Sequence, residues 1–342
     1  MIIKFWGVRG SIPCPPSNEE IRAKIRLALE EWTRPDSDIK DLDKFLDSLP
    51  LGKISLVGGN TPCLEISDEG QLLVFDAGTG LRNLGHYLVP THISELFELF
   101  YATEKYSAHD VLSVTPKWPE QKINLFMTHT HWDHIQGFPF FRPAYAPNYL
   151  IDIYGTDKEA LEIAFLTQQT PPSLFPAPLS YLRAKITFKK FPPQGQQFGQ
   201  LFLDTFPLPH PGGSLAYRIR GYGQTIIFAT DYEIQKLAPE GAHGLPGLTK
   251  FIAGADIFIS DTQYTYLDHT TKSGWGHSNA LSVVELATQA KVKRLFLFHH
   301  DPTYSDEKLF DILDKTRAYA KLLKNGPDMS VQLAMEGATI KL

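Results

Sequence analysis

Cysteine, long apolar runs and an excess of basic charge are scarce or missing in this sequence, and each shortage removes a class of protein. Only two cysteines, Cys14 and Cys63, stand among 342 residues. A disulfide-framed secreted scaffold is thereby excluded, and a reducing, cytoplasmic location is expected. No stretch is long and apolar enough to span a membrane, so no membrane partner is expected. The start, Met1-Ile-Ile-Lys-Phe-Trp6, has neither the charged beginning nor the small-residue cleavage site of a signal peptide, and reads as a first strand. The formal charge of −5 argues against an extended nucleic-acid surface, while leaving room for a small phosphate substrate at a locally positive site. What is present is apolar material: at 43% hydrophobic residues the chain can fill the core of one large domain or two ordinary ones. No linker or repeat is visible.

The apolar runs are short and bounded by turn residues. They predict strands over 4–12, 64–67, 72–75, 123–127, 150–154, 186–191, 201–208, 215–220, 225–229, 256–260, 294–298 and 331–334. Helical periodicity appears over 17–32, where Ser17-x-x-Glu20 forms a capping box and Ile21, Ile25, Ala28, Leu29 and Trp32 share a face that packs on or over the core. Further helices are expected over 38–49 with Asp38 as cap, over 93–106, from a Thr156-x-x-Glu159 cap to about 169, and over 279–289 and 306–323. Residues 170–178 are too rich in proline to be regular. Two halves, each of strands followed by helices, fit a two-sheet sandwich with helices outside.

The chemistry concentrates in Thr128-His-Thr-His-Trp-Asp-His134, where the apolar run 123–127 stops. His129 and His131 are two apart and point the same way in an extended segment. Asp133 and His134 then fall on the first turn of a short helix that Gly137 and Pro139 end. Imidazole and carboxylate donors converging at one strand mouth suit zinc, manganese or iron.

The run His129-Thr-His-Trp-Asp-His-Ile-Gln-Gly137-Phe-Pro-Phe-Phe141 resembles the metallo-β-lactamase superfamily, whose signature is His-x-His-x-Asp-His. Within it, the run is similar to the phosphodiesterase-type branch that includes ribonuclease Z and cyclic-nucleotide phosphodiesterases. The resemblance continues through His210-Pro-Gly-Gly-Ser-Leu-Ala-Tyr-Arg-Ile219, Thr225-Ile-Ile-Phe-Ala-Thr-Asp231, Gly274-Trp-Gly-His-Ser-Asn279 and His299-His-Asp-Pro302. It implies an αββα fold, an α/β sandwich of two mixed sheets with helices outside. It also implies a single domain over 1–342 with inserted stretches near 15–56 and 88–120.

For the site, the resemblance implies two divalent transition-metal ions: zinc, with manganese or iron as alternatives. One would be held by His129, His131 and His210, the other by Asp133, His134 and His299, with Asp231 bridging. His300 is the alternative to His299. Asp133 would also orient the nucleophile, and His277, not a ligand, would support the leaving group. Asp76 takes a supporting role beneath the metals. Arg9, Ser11 and Asn60 lie in loops that match loops bordering the family's site, where they contact phosphate or satisfy loop backbone. Phe141 or Tyr145 faces the cleft to stack on a base, or covers the outer core. His86, His92, His109, His243 and His269 follow no pattern and read as surface. The expected activity is a metal-dependent phosphodiesterase acting on a cyclic nucleotide or similar small phosphodiester, with a homodimer left open. The alternatives are tRNA 3′-end processing, an iron-dependent oxidoreductase on the same fold, and a binding protein with a dead site.

Overall fold

The computed structural model describes residues 1–33, 41–49, 56–89, 121–323 and 329–342. Two seven-stranded sheets pack against each other through a shared apolar core. In spatial order the first contains β14 (Thr339–Lys341), β1 (Ile2–Gly7), β2 (Cys63–Asp68), β3 (Gln71–Phe75), β4 (Gln121–Phe126), β5 (Tyr149–Gly155) and β6 (Lys185–Lys190). The second contains β13 (Ser330–Leu333), β12 (Arg294–Phe298), β11 (Ile257–Asp261), β10 (Gln224–Ala229), β9 (Ser214–Gly221), β8 (Leu201–Leu208) and β7 (Gln196–Phe198). Pairing is parallel from β3 to β6 and from β10 to β13, and antiparallel elsewhere. This is the expected αββα sandwich of mixed sheets.

Parallel strands covered on both faces read as continuous apolar runs, and Ile226 to Ala229 and Leu295 to Phe298 are buried throughout. Helices close the outer faces: Lys158–Gln168 lies on β5 and β6, Ala280–Gln289 on β11 and β12, and Asp306–Leu322 on β13. Between the sheets Phe126 anchors an aromatic cluster, its ring centroid 5.0 Å from Tyr154, 5.1 Å from Phe198, 5.2 Å from Phe75 and 5.7 Å from Tyr217. Just beyond Phe126 the sheets are stitched together. The Tyr217 hydroxyl donates to the Met127 carbonyl at 2.8 Å, and the Leu215 N–H donates to the Thr128 carbonyl at 3.1 Å.

Several local expectations shift. The capping box at Ser17 and Glu20 forms, and the helix is Asn18–Trp32. Its apolar face is not packed on the core, however, since Ile21, Ile25 and Leu29 are all exposed among the described residues; Trp32 packs edge-on against Phe45. The second helix is Leu42–Ser48, capped by Asp41; the proposed Asp38 cap lies outside the described residues, as does the helix expected over 93–106. The helix after β5 is capped by Asp157, not Thr156, because Asp157 is the extended residue whose Oδ1 accepts the Ala160 N–H. Strands β7 and β14 have three residues each, too few to show alternation. Helices Gly80–Leu88 and Leu245–Ile252 escape sequence reading because each carries glycine, and the second also proline, in positions that weaken the helical pattern. Among the described residues no helix is long and apolar enough to cross a membrane.

The Phe126 cluster joins the two sheets directly behind the motif. Replacing Phe126 with Ala should lower stability by about 3–5 kcal/mol, the usual cost of emptying a buried phenyl site. Urea denaturation should show this as a lower midpoint at unchanged slope, and an unchanged midpoint would remove the cluster from the account.

Candidate metal centre

The carboxyl ends of five strands supply the polar residues. Asp76 follows β3, Thr128 to His134 follow β4, Asp231 follows β10, Asp261 ends β11 and His299 follows β12. His210 arrives two residues after β8. Asp76, Asp231 and His299 all have positive φ, at 60°, 54° and 62°, and so does Ser11 at 63°. These four are among only six non-glycine residues with positive φ in the described chain. Such backbone costs about 1–3 kcal/mol per residue and persists where surrounding contacts impose it. Here it turns each chain sharply at its strand end, so that the side chain points back into one common space.

In that space the donors fall into two groups. His129, His131, His210 and Asp231 form one; Asp133, His134, Asp231 and His299 form the other. Within each, the donor atoms lie inside 4.8 Å of one another. Asp231 belongs to both, and it divides its oxygens between them. Oδ2 lies 3.7 Å from both His129 Nε2 and His210 Nε2, while Oδ1 lies 3.1 Å from His134 Nε2 and from His299 Nε2. Asp133 Oδ2 adds to the second group, 3.4 Å from the same two imidazole nitrogens.

The outer nitrogens show which atoms are free to bind. His134 Nδ1 donates to Asp76 Oδ2 at 2.9 Å, His210 Nδ1 to the Gly276 carbonyl at 2.8 Å, and His299 Nδ1 to Gln263 Oε1 at 3.2 Å. The Thr128 hydroxyl donates to Asp76 and accepts His129 Nδ1 at 3.1 Å. With each of these Nδ1 atoms bonded outward, Nε2 is the ring nitrogen left to face inward. The buried Nε2 atoms of His129, His134 and His299 make no hydrogen bond. His131 Nδ1 and His210 Nε2 face each other at 3.0 Å. Buried ring nitrogens without a hydrogen bond, converging on a carboxylate, are what a cation site requires, and these residues could hold a metal ion.

The electrostatics agree with that fit. Burial holds His129 well below the ordinary imidazole range, helped by the charge on His134, and burial likewise lowers His131 and His210. The neutral ring is the ligand form. Burial also opposes a charge on His134, but Asp231, Asp133 and Asp76 together raise it well above its usual value. The cluster of buried carboxylates thus draws positive charge into its centre.

His277 contacts both groups, its ring stacked on His299 at 5.0 Å and edge-on to His210 at 5.3 Å. Its Nδ1 is held by Asp261 Oδ2 at 2.8 Å. A third combination of Asp231, Asp261, His277 and His299 also satisfies the donor distances, but His277 and Asp261 spend those atoms on each other. Burial disfavours charge on His277, yet Asp261 outweighs it and the ring is pushed up to about 9. Asp261 was not singled out from the sequence, although it ends its strand as Asp76 and Asp231 follow theirs.

The remaining candidates separate clearly. His300 leaves the site: its Nε2 faces the Ala334 carbonyl at 3.0 Å, and burial drops it to about 3. Arg9 is buried, with every guanidinium nitrogen bound by Gly58, Asp301, Tyr304 or Asp306, so it fastens the loop after His299 and offers nothing to phosphate. Asn60 gives its amide Nδ2 to Glu336 at 3.1 Å. The Ser11 N–H donates to Asp133 Oδ2 at 2.8 Å. Phe141 is 0% exposed and packs in the outer core with Phe138 and Leu84, so it covers the core, and the alternative that it faces the cleft to bind substrate is corrected. Tyr145 is half-exposed, but its hydroxyl is tied to the Pro139 carbonyl and it does not line the adjoining cavity. His269, expected at the surface, is buried beside Glu233; His92 and His109 lie outside the described residues.

Beside the metal motif opens a cavity of about 940 Å³, lined by Asn60, Trp132, Gln136, Phe140, Gln168 and Phe175 among others. Trp132, inside the motif itself, is 66% exposed, and Phe140, the immediate neighbour of Phe141, is 55% exposed. The alternation between buried Phe141 and exposed Phe140 depends on the 3-10 turn Phe138–Phe140, which residue types alone do not reveal.

Residues 110–300 match the family model described as the beta-lactamase superfamily domain. The chain is 24% identical over 249 residues to a ribonuclease Z of Exiguobacterium sibiricum, covering 62% of this chain and 81% of the relative. A ribonuclease Z of Picrophilus torridus is 37% identical over 62 residues, a match spanning 18% of this chain and only 20% of that relative. Among solved structures, the metallo-beta-lactamase fold protein YhfI from Bacillus subtilis aligns with a TM-score of 0.59 at 17% identity, covering 99% of each chain.

Asp76 touches no inward-facing nitrogen, yet it holds His134 directly and His129 through Thr128. Asp76→Asn should therefore weaken zinc binding about 10–100-fold, the usual penalty for losing a partner behind a ligand. Competition against a chromogenic chelator measures it. Unaltered affinity in a folded variant would show that these outward hydrogen bonds do not set the ligands.

Proposed function

The chain belongs to the metallo-β-lactamase superfamily, and from that premise we propose a phosphodiesterase working with two divalent transition-metal ions on a cyclic nucleotide or similar small phosphodiester. The observation that carries the reading is the division of Asp231, one oxygen toward each donor group, with His277, held by Asp261, in contact with both. His129, His131 and His210 would hold one ion, and Asp133, His134 and His299 the other. Zinc suits these donors, as do manganese and iron. Ions so held supply Lewis acidity at a phosphoryl oxygen and a water of lowered pKa.

The chain's own residues do the rest. Asp133, fixed by the Ser11 N–H, presents a carboxylate that would orient the attacking water. Asp261 holds Nδ1 of His277 and pushes the ring up to about 9, so at neutral pH the opposite nitrogen also carries a proton. That proton serves the oxygen of the leaving group, or stabilises its developing charge. The cavity beside the motif, with the faces of Trp132, Phe140 and Phe175, suits a leaving group that carries a flat ring. Phe140 and Phe175 meet edge to face at 5.5 Å, leaving Trp132 as the exposed platform nearest the ligands. A stacked base is worth roughly 1–3 kcal/mol.

A second reading, cleavage at the 3′ end of precursor tRNA, is favoured by the ribonuclease Z names of the relatives. The net charge of −5 weighs against it, since gripping a folded RNA calls for a basic surface.

Turnover of bis(p-nitrophenyl) phosphate, cyclic mononucleotides, cyclic dinucleotides and precursor tRNA by the zinc- or manganese-loaded protein distinguishes these readings. Greatest efficiency on a cyclic nucleotide is expected; greatest efficiency on the tRNA would overturn the proposal in favour of the second reading. His277→Ala should keep both ions and lower kcat roughly 10²–10³-fold, the scale of losing one transition-state donor. Loss of metal from that variant would instead make His277 a ligand. Trp132→Ala or Phe140→Ala should raise KM for a nucleotide several-fold while sparing bis(p-nitrophenyl) phosphate, and equal losses on both would assign the rings a structural role.

A further inference from the structure

Glu233 lies two residues beyond Asp231, and the activity proposed above gives it no part. It is 1% exposed, a burial that a carboxylate tolerates only when it is well partnered. Its hydrogen-bond donors come from one loop, and His269 on the helix Tyr266–Thr271 stands close by. Oε2 accepts the Gly274 N–H at 2.8 Å and the Gly276 N–H at 3.4 Å, Oε1 accepts the Ser273 hydroxyl at 3.2 Å, and His269 Nε2 stands 3.5 Å from Oε1. Gly274 and Gly276 have φ of 90° and 88°, which lets the backbone curl its N–H groups around one anion. A β-carbon on Gly276 would sit 2.3 Å from His210 Nδ1, so glycine is required there for the loop to approach that ring.

The same loop also reaches the metal motif's neighbour: the Gly276 carbonyl accepts His210 Nδ1 at 2.8 Å. On its other side Glu233 donates its own backbone N–H to the Pro209 carbonyl at 3.0 Å. The hydrogen bonds therefore close a ring from Pro209 through Glu233 and Gly276 back to His210. Next along the chain, the Ser278 hydroxyl joins the Tyr232 carbonyl at 2.6 Å and accepts the Ile234 N–H at 3.1 Å, fastening the segment that carries His277 to the segment that carries Glu233.

We infer that Glu233 is a positioning residue: by anchoring the Ser273-to-Gly276 loop it fixes the carbonyl that orients His210, and with it one of the two ion positions. The inference rests on His210 being a ligand, as proposed above. Of the two donor groups only the one containing His210 depends on this loop, because His134 is oriented by Asp76 and His299 by Gln263. A loss of Glu233 should therefore be felt unequally.

The test uses the full chain and reads metal binding, not turnover. Zinc affinity is measured by chelator competition for the parent, Glu233→Ala and Glu233→Gln, with the visible spectrum of the cobalt-substituted forms recorded beside the Tm of each metal-free form. Glu233→Ala should weaken one of the two zinc ions about 10-fold or more, on the scale of lost outer partners, leave the other near its parent value, and change the cobalt spectrum. Glu233→Gln keeps one acceptor oxygen for the loop and should restore part of the affinity; if the alanine variant does not fold, the glutamine variant is judged alone against the parent, with the same one-ion loss expected. Zinc affinities and cobalt spectra matching the parent in the folded variants would overturn the inference. So would an equal weakening of both ions accompanied by a lower Tm, which marks a merely structural carboxylate. A parent chain that binds no zinc would sink the two-ion reading itself, a result distinct from either.

Discussion

A carboxylate buried between two clusters of imidazole is the constraint on which the rest of this structure depends. Burying Asp231 costs several kcal/mol unless positive charge meets it, and the fold brings four histidine nitrogens within 3.1 to 3.7 Å of its two oxygens. Those histidines come from β4 in one sheet and from β8 and β12 in the other. The sheets must therefore be aligned for the charge to be met at all. The bonds from Tyr217 and Leu215 to the backbone after β4 lie immediately beneath the cluster and hold that alignment. Core and site are in this sense one construction: the aromatic packing that stabilises the sandwich also sets the separation of the ligands.

A second layer keeps the ligands from relaxing. Asp76, Thr128, Gln263 and Gly276 take the outward ring nitrogens, and the inward Nε2 atoms of His129, His134 and His299 make no hydrogen bond. Positive φ at Asp76, Asp231 and His299 is strain held at the strand ends, maintained by these contacts and by burial. Loops on the far side serve the same purpose. Arg9 fastens the chain after His299, and the Ser11 N–H fixes Asp133.

Much of this was legible in the sequence, for a definite reason. Ligand residues at the ends of apolar runs keep their meaning without tertiary information, because a parallel strand delivers its last residues to one edge. His129, His131, Asp133 and His134 were readable as candidates in that way, and His210, Asp231 and His299 through family resemblance. What was not legible depends on the third dimension. Arg9 reads equally as a phosphate contact or as a residue that satisfies loop backbone, until its nitrogens are seen bound to Gly58, Asp301, Tyr304 and Asp306. Phe140 and Phe141 are chemically identical neighbours, and only the short turn decides which faces the cavity. Asp261 and Glu233 act on residues 16 and 43 positions away, a relation that local spacing cannot express.

The central claim is that Asp231 is shared between two cation positions. Metal analysis of the purified chain after zinc reconstitution, set beside Asp231→Ala treated identically, tests it most directly. The account predicts two ions per chain for the parent and at most one for the folded variant. Two ions retained in Asp231→Ala would contradict it, since each group would then hold its ion without the carboxylate placed between them.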